Sequence, residues 1–398
     1  MTAKMWRRHE LQEEYDVVII GGGVHGLATA YYLTKLGVRN IAVLEAKYLG
    51  FGGSGRNTAI IRSNYRTPEG IAFYDHSVGL YEKLAAELDF NIMFSQHGHM
   101  TIAHNERGVT GLRERANTNQ LCGVNSRLIY PDEIKKLVPK MNVFGHQRFP
   151  IMAALFHPPG GIIRHDAVVW SYARGADQGG AHIHQKTEVQ DIEVTNGAVS
   201  GVVTNRGKIR TGTVLNATAG YATTICDMVG IQIPIESHPL QACVTEPLKP
   251  FLHTVIVSST LHIYVSQTDR GELVLGAEVD DYSSYNLRGT LPFMESAATH
   301  LLELFPFLAN VKLLRQWGGL CDMTPDYSPI MGESPDVRGF YMTVGWGTYG
   351  FKAGPASGDQ MAQMIDSNKT PELLQPFRLE RFAQGNLVGE KAAASVSH

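Results

Sequence analysis

An α/β fold, a parallel sheet with a strand-rich second domain inserted into it, follows from three observations along 398 residues. The first is Tyr15-Asp-Val-Val-Ile-Ile-Gly-Gly-Gly-Val-His-Gly26, a short apolar strand running into Gly21-x-Gly23-x-x-Gly26 and then a helix-like stretch. The second is the return of apolar strands far downstream, Thr213–Gly220 and Gly339–Val344. The third is a block of several strand-like runs between 232 and 280, which reads as a strand-rich inserted domain.

The opening unit is the most specific. Gly21 permits the tight turn, Gly23 lets backbone approach a pyrophosphate, and Gly26 allows close helix–strand packing. The helix N-terminus supplies N–H groups and the positive end of a dipole for phosphates. Ile41-Ala-Val-Leu-Glu45 closes the unit, placing Glu45 about twenty residues beyond the glycines, where a ribose-binding acid is expected. These features predict a Rossmann-like dinucleotide site.

Beyond it, residues 46–66 form a glycine-rich arm and 68–88 a helix, followed by mixed elements to about 150. Residues 165–180 read as a helix opened by His165-Asp166, with Asp166 as the N-cap. Strands are expected at Thr187–Val194 and Ala198–Thr204, and Ala217-Thr-Ala-Gly220 as a second contact with the dinucleotide. Leu261–Ser266 and Glu272–Gly276 read as strands, 290–305 as a helix, and a final helix from about Pro355. The chain therefore divides into a discontinuous nucleotide domain (1–88, 150–230, 318–398) and a substrate domain (89–149, 231–317).

Composition narrows the function. A net charge of −3 argues against nucleic acid or an anionic membrane surface as partner. No apolar run approaches the ~18 residues of a membrane span. Cys122, Cys226, Cys243 and Cys321 are scattered without a C-x-x-C pair, which predicts reduced thiols and no metal site. Arg7-Arg8 is followed by charged residues, not an apolar export segment, so the expectation is cytoplasmic.

The glycine triplet alone does not separate nicotinamide from flavin dinucleotides. The tail Val344-Gly-Trp-Gly-Thr-Tyr-Gly-Phe-Lys352 helps, because a glycine loop, a helix N-terminus and a lysine suit the anionic edge of a reduced flavin. With the Ser54-Gly-Arg-Asn-Thr-Ala-Ile-Ile-Arg62 arm, Ser266-Gln267 and Trp317-Gly-Gly319, it resembles flavin-dependent amine oxidoreductases of the D-amino-acid-oxidase/sarcosine-oxidase type. Gly160-Gly-Ile-Ile-Arg-His-Asp166, Ser237-His-Pro-Leu-Gln241, Tyr264-Val-Ser-Gln267 and Pro376-Phe-x-Leu-Glu-Arg-Phe382 narrow this. In them the chain is similar to β subunits of heterotetrameric sarcosine oxidases.

That resemblance implies a glutathione-reductase-type FAD domain. The FAD contacts it implies are Gly21, Gly22, Gly23, His25, Gly26, Glu45, Arg56, Asn57, Thr58, Ile60, Val189, Gly220, Gly347, Gly350 and Lys352. It implies that Arg62 and Lys352 clamp a substrate carboxylate, Arg62 as a planar fork and Lys352 as a point charge. Tyr264 either closes the substrate pocket or packs in the core. It implies noncovalent FAD and an FMN bonded covalently to His165, with Arg164, His262 and Arg315 as candidates for the FMN phosphate. Cys321 remains an alternative attachment point. Single-chain relatives carry a lysine in Leu-Lys-Leu-Gly where this chain has Leu273-Val274-Leu275-Gly276, which implies that oxygen reacts at FMN and not at FAD.

The implied activity is oxidative demethylation of sarcosine to glycine, a one-carbon unit as formaldehyde or methylene-tetrahydrofolate, and hydrogen peroxide, with α, γ and δ partner subunits. Two alternatives stand beside it: a β-type subunit of a proline, N-methylglutamate or opine dehydrogenase, and a flavoprotein scaffold without catalysis.

Overall fold

A computed structural model describes residues 5–390, apart from the side chains of Ala277 and Glu278. Val17–Ile20 is the centre of a six-stranded sheet. It pairs in parallel with Ile41–Glu45 on one side and Val214–Asn216 on the other. His182–Gln185 extends the sheet at one edge, Phe340–Val344 and then antiparallel Ile330–Glu333 at the other. All four residues of Val17–Ile20 are buried, as expected where a parallel sheet is covered on both faces. Helices Val24–Leu36, Pro68–Glu87, His165–Gly179 and Gly350–Ser367 pack their apolar residues into one core. The meander Val189–Thr195, Ala198–Thr204, Gly207–Arg210 supplies side chains to the core on the other face.

The inserted strands form a separate, mixed sheet of eight. Its order is Leu313–Met323, Glu236–Pro247, Glu272–Val279, Ile263–Gln267, Val255–Ser258, His99–Ala103, Ala153–His157, Arg127–Ile129. Strand Ala153–His157 thus belongs to this sheet, whereas the expected boundary at 150 put it with the nucleotide domain. Its pairing with His99–Ala103 decides the matter, a contact fifty residues away that no local pattern reveals. Leu313–Met323 likewise straddles the expected boundary at 318. Helix Leu291–Leu304 covers the apolar face with Phe293, Ala297, Leu301 and Leu304.

Two helix starts differ from expectation. Arg164, in extended conformation, is the N-cap of His165–Gly179. Asp166 sits in the first turn, where its carboxylate accepts the Ala167 N–H at 2.8 Å and the Arg164 guanidinium at 2.8 Å. The last long helix begins at Gly350, five residues ahead of Pro355, and carries that proline inside. Among the described residues no helix is long and apolar enough to cross a membrane.

Candidate active site

A single cavity of about 1710 Å³ runs between the two sheets. That exceeds the ~300–1,000 Å³ of an ordinary small-molecule site and leaves room for a dinucleotide and a second molecule. Its nucleotide half is lined by Gly21, Gly23, His25, Glu45, Arg56, Asn57, Thr58, Ile60, Val189, Gly347 and Gly350, all anticipated from sequence.

The residues present fit FAD. A Cβ on Gly21 would lie 2.4 Å from the Ala217 carbonyl oxygen, and one on Gly26 would lie 2.1 Å from the Gly21 carbonyl oxygen, so this cradle closes only with glycine. Glu45 accepts the Gly22 N–H at 2.9 Å and the Lys47 N–H at 2.8 Å. Burial raises its pKa, and those two N–H groups pull the other way. A carboxylate has about four acceptor positions, so ribose hydroxyls remain within its capacity. His25 stacks on Trp346 with centroids 4.4 Å apart. Burial drives its pKa down to about 3, leaving a neutral ring whose Nδ1 has no partner among the described residues.

Three anticipated contacts play other parts. Gly22 lies behind the cavity and anchors Glu45. Gly26 provides helix–strand packing. Gly220 is turned away: its carbonyl accepts the Ser237 hydroxyl at 2.7 Å, and a Cβ there would meet the Leu320 Cβ at 2.5 Å. Ala217, Thr218 and Ala219 line the cavity in its place. Ser54, whose hydroxyl accepts the Val24 N–H at 2.9 Å, brings the glycine-rich arm onto the helix N-terminus.

In the other half, Arg62, Lys352 and Tyr264 line the same wall. Arg62 is 4% exposed, its guanidinium donating to the Asn64 side-chain oxygen at 3.0 Å and lying over the Tyr65 ring at 4.3 Å. Lys352 is buried, and burial, then repulsion from Arg62, lowers its pKa to about 7. Its Nζ lies 3.4 Å from the Thr348 carbonyl. Tyr264 stands over Gly276, where a Cβ would come within 1.9 Å of its hydroxyl oxygen, so Gly276 makes the space its ring occupies. Burial raises the Tyr264 pKa, so its hydroxyl keeps its proton.

Sequence reasoning missed Arg115 and Asp322. Arg115 is buried beside Arg62, donates to the Asn64 carbonyl at 2.6 Å, and has its pKa lowered to about 9 by burial and then by Arg62. Asp322 accepts the Gly345 N–H at 2.6 Å and fixes the tail loop, with burial raising its pKa to about 6. Neither sits in a motif. Cys321 also lines this wall, buried, and burial raises its thiol pKa, the opposite of an activated nucleophile.

His165 is not in the cavity wall. It is half-buried at the first turn of its helix, where burial lowers its pKa and Asp166, Arg164 and Arg315 act on it. The expected trio of Arg164, His262 and Arg315 is therefore divided. His262 occupies the turn between strands Val255–Ser258 and Ile263–Gln267, at φ 45°, and faces the large cavity.

The sarcosine oxidase subunit beta of Rhodobacter capsulatus is 43% identical over 396 residues, covering 99% of this chain and 95% of that protein. The sarcosine oxidase subunit beta of Rhizobium meliloti is 44% identical over 390 residues, with 98% and 93% covered. The crystal structure of L-proline dehydrogenase from P. horikoshii superposes with a TM-score of 0.89 at 30% identity, covering 95% of this chain and 100% of that one. Residues 16–364 match the DAO family model, described as FAD dependent oxidoreductase, and the chain belongs to that family.

Proposed function

We propose that this chain is the flavin-carrying β subunit of a multisubunit oxidase that demethylates sarcosine, giving glycine, a one-carbon unit at the formaldehyde level and hydrogen peroxide. The observation that carries the reading is the convergence of Arg62 and Lys352 at one wall of a cavity whose other half fits FAD. When bound, FAD supplies a two-electron acceptor for the amine's C–H bond.

The chain's own residues then have definite tasks. Arg62 and Lys352 hold the carboxylate, and burial makes each contact stronger than it would be in water. The anion in turn favours the charged form of Lys352. Tyr264, kept protonated, is a hydrogen-bonding wall and not a base. The raised thiol pKa of Cys321 supports FAD held without a covalent bond.

FMN is assigned to His165. Support comes from an imidazole that burial keeps neutral, hence nucleophilic, with Arg164 and Arg315 close enough to act on it and suited to a phosphate. His262 is left out of that set. Partner α, γ and δ subunits and a cytoplasmic location complete the reading, supported by the subunit naming of the relatives and by the absence of a membrane-spanning helix among the described residues.

Anaerobic sarcosine should bleach the bound flavin, and a flavin that stays yellow returns the chain to a scaffold role. Arg62→Ala should raise the KM for sarcosine by ~10–100-fold, the loss of one charge-assisted contact. The likeness to a proline dehydrogenase makes proline the comparison substrate, and N-methylglutamate the next; faster bleaching by either reassigns the substrate. His165→Ala should remove all flavin from the acid-precipitated pellet. Flavin surviving there moves the attachment to Cys321.

A further inference from the structure

His99 lines the same cavity as Arg62 and Lys352 and has no task in the reading above. It is 2% exposed and sits directly opposite His157 in the strand register. Met100 at the next position turns the other way, into the second sheet's apolar core. Gly160 makes room for it, since a Cβ there would lie 2.6 Å from the His99 Cβ. The groups acting on the imidazole are Arg62, Arg115, His157 and Lys352, all basic, and burial with those charges holds its pKa well below the usual value. His157 is already employed, Nδ1 donating to the Asn125 carbonyl at 2.8 Å and Nε2 accepting the Ser63 N–H at 3.2 Å. The His99 Nδ1, in contrast, is buried with no hydrogen-bond partner among the described residues.

A buried N–H without an acceptor is rarer than a buried acceptor without a donor. The proton is therefore assigned to Nε2, with Nδ1 carrying the lone pair. A neutral donor surrounded by cations has use only for an electron-rich partner. We infer that His99 is a substrate-contacting residue, donating its Nε2–H to the carboxylate that Arg62 and Lys352 hold. It adds a directional, uncharged contact to two charges. The inference rests on the carboxylate-binding part of the reading above.

The test uses flavin-loaded protein and acetate, a carboxylate without an amine, titrated by the change in flavin absorbance. His99→Gln places an amide nitrogen near the Nε2 position, His99→Asn near Nδ1, and His99→Leu removes both. Leu and Asn should weaken acetate binding by ~10–100-fold, and Gln by about threefold or less. The sarcosine KM should follow the same order with kcat unchanged. Acetate affinity unaltered in Leu and Asn, or weakened equally in all three variants, overturns the inference. Should Leu fail to fold, the Asn–Gln comparison decides alone. Wild-type protein that binds acetate in a His99-dependent way yet is bleached by no amino acid would sink the oxidase reading and leave this contact standing.

Discussion

Lys352 shows how strongly position governs a single side chain. A lysine in water titrates near 10.4; here burial, followed by the Arg62 charge, brings it to about 7. The proposed carboxylate contact needs the ammonium form. Affinity is therefore highest and flat below pH 7 and falls above it, by up to ~tenfold per pH unit as the charged fraction drops. Inhibition by acetate measured from pH 6 to 9 reports this without interference from the substrate amine, and Lys352→Met should flatten the profile. The resemblance singled out Arg62 and Lys352, each at the end of a quoted stretch, and both line the cavity. His99, Arg115 and Asp322 were not singled out, because each is an isolated polar residue whose role comes from neighbours distant in the chain. Gly220 shows the converse error, a motif residue that packing against Leu320 turns away from the cavity.

At the scale of one element, the last long helix accommodates a proline that sequence rules place at its start. Pro355 has no N–H to offer the Phe351 carbonyl, which ought to be orphaned. Tyr81, from helix Pro68–Glu87, donates its hydroxyl to that carbonyl at 2.7 Å, and Ser77 from the same helix donates to the Lys352 carbonyl at 2.7 Å. The first turn, with Lys352 in it, is thus held by side chains from another helix. Tyr81→Phe should lower stability by about 1–3 kcal/mol, the cost of a buried carbonyl left without a donor, read from the denaturant midpoint. The start of this helix escaped sequence reading because its compensating donors lie some 270 residues away.

For the whole molecule, the C-terminal segment is tied back by Arg381 and Asp326, whose side chains are 3% and 1% exposed. The guanidinium donates to both carboxylate oxygens, at 2.8 and 2.9 Å. Burial opposes ionisation of Asp326, but the hydrogen bond and charge of Arg381 outweigh it and its pKa is lowered. With the folded pKa below the unfolded value of ~3.9, the pair's contribution is complete above that pH and is lost as pH falls through the folded pKa. Arg381→Met strands the buried carboxylate and should cost about 3–5 kcal/mol near neutral pH, with the loss shrinking in acid, as thermal unfolding across pH would show. The sequence by itself determined the nucleotide-binding unit and the alternation of its elements, because turn geometry and periodicity are local properties of the chain. Only the tertiary structure decided which sheet claims Ala153–His157, that His262 and His165 face different places, and how far burial shifts Lys352. Pairing, direction and dielectric surroundings depend on residues that meet only once the chain has folded.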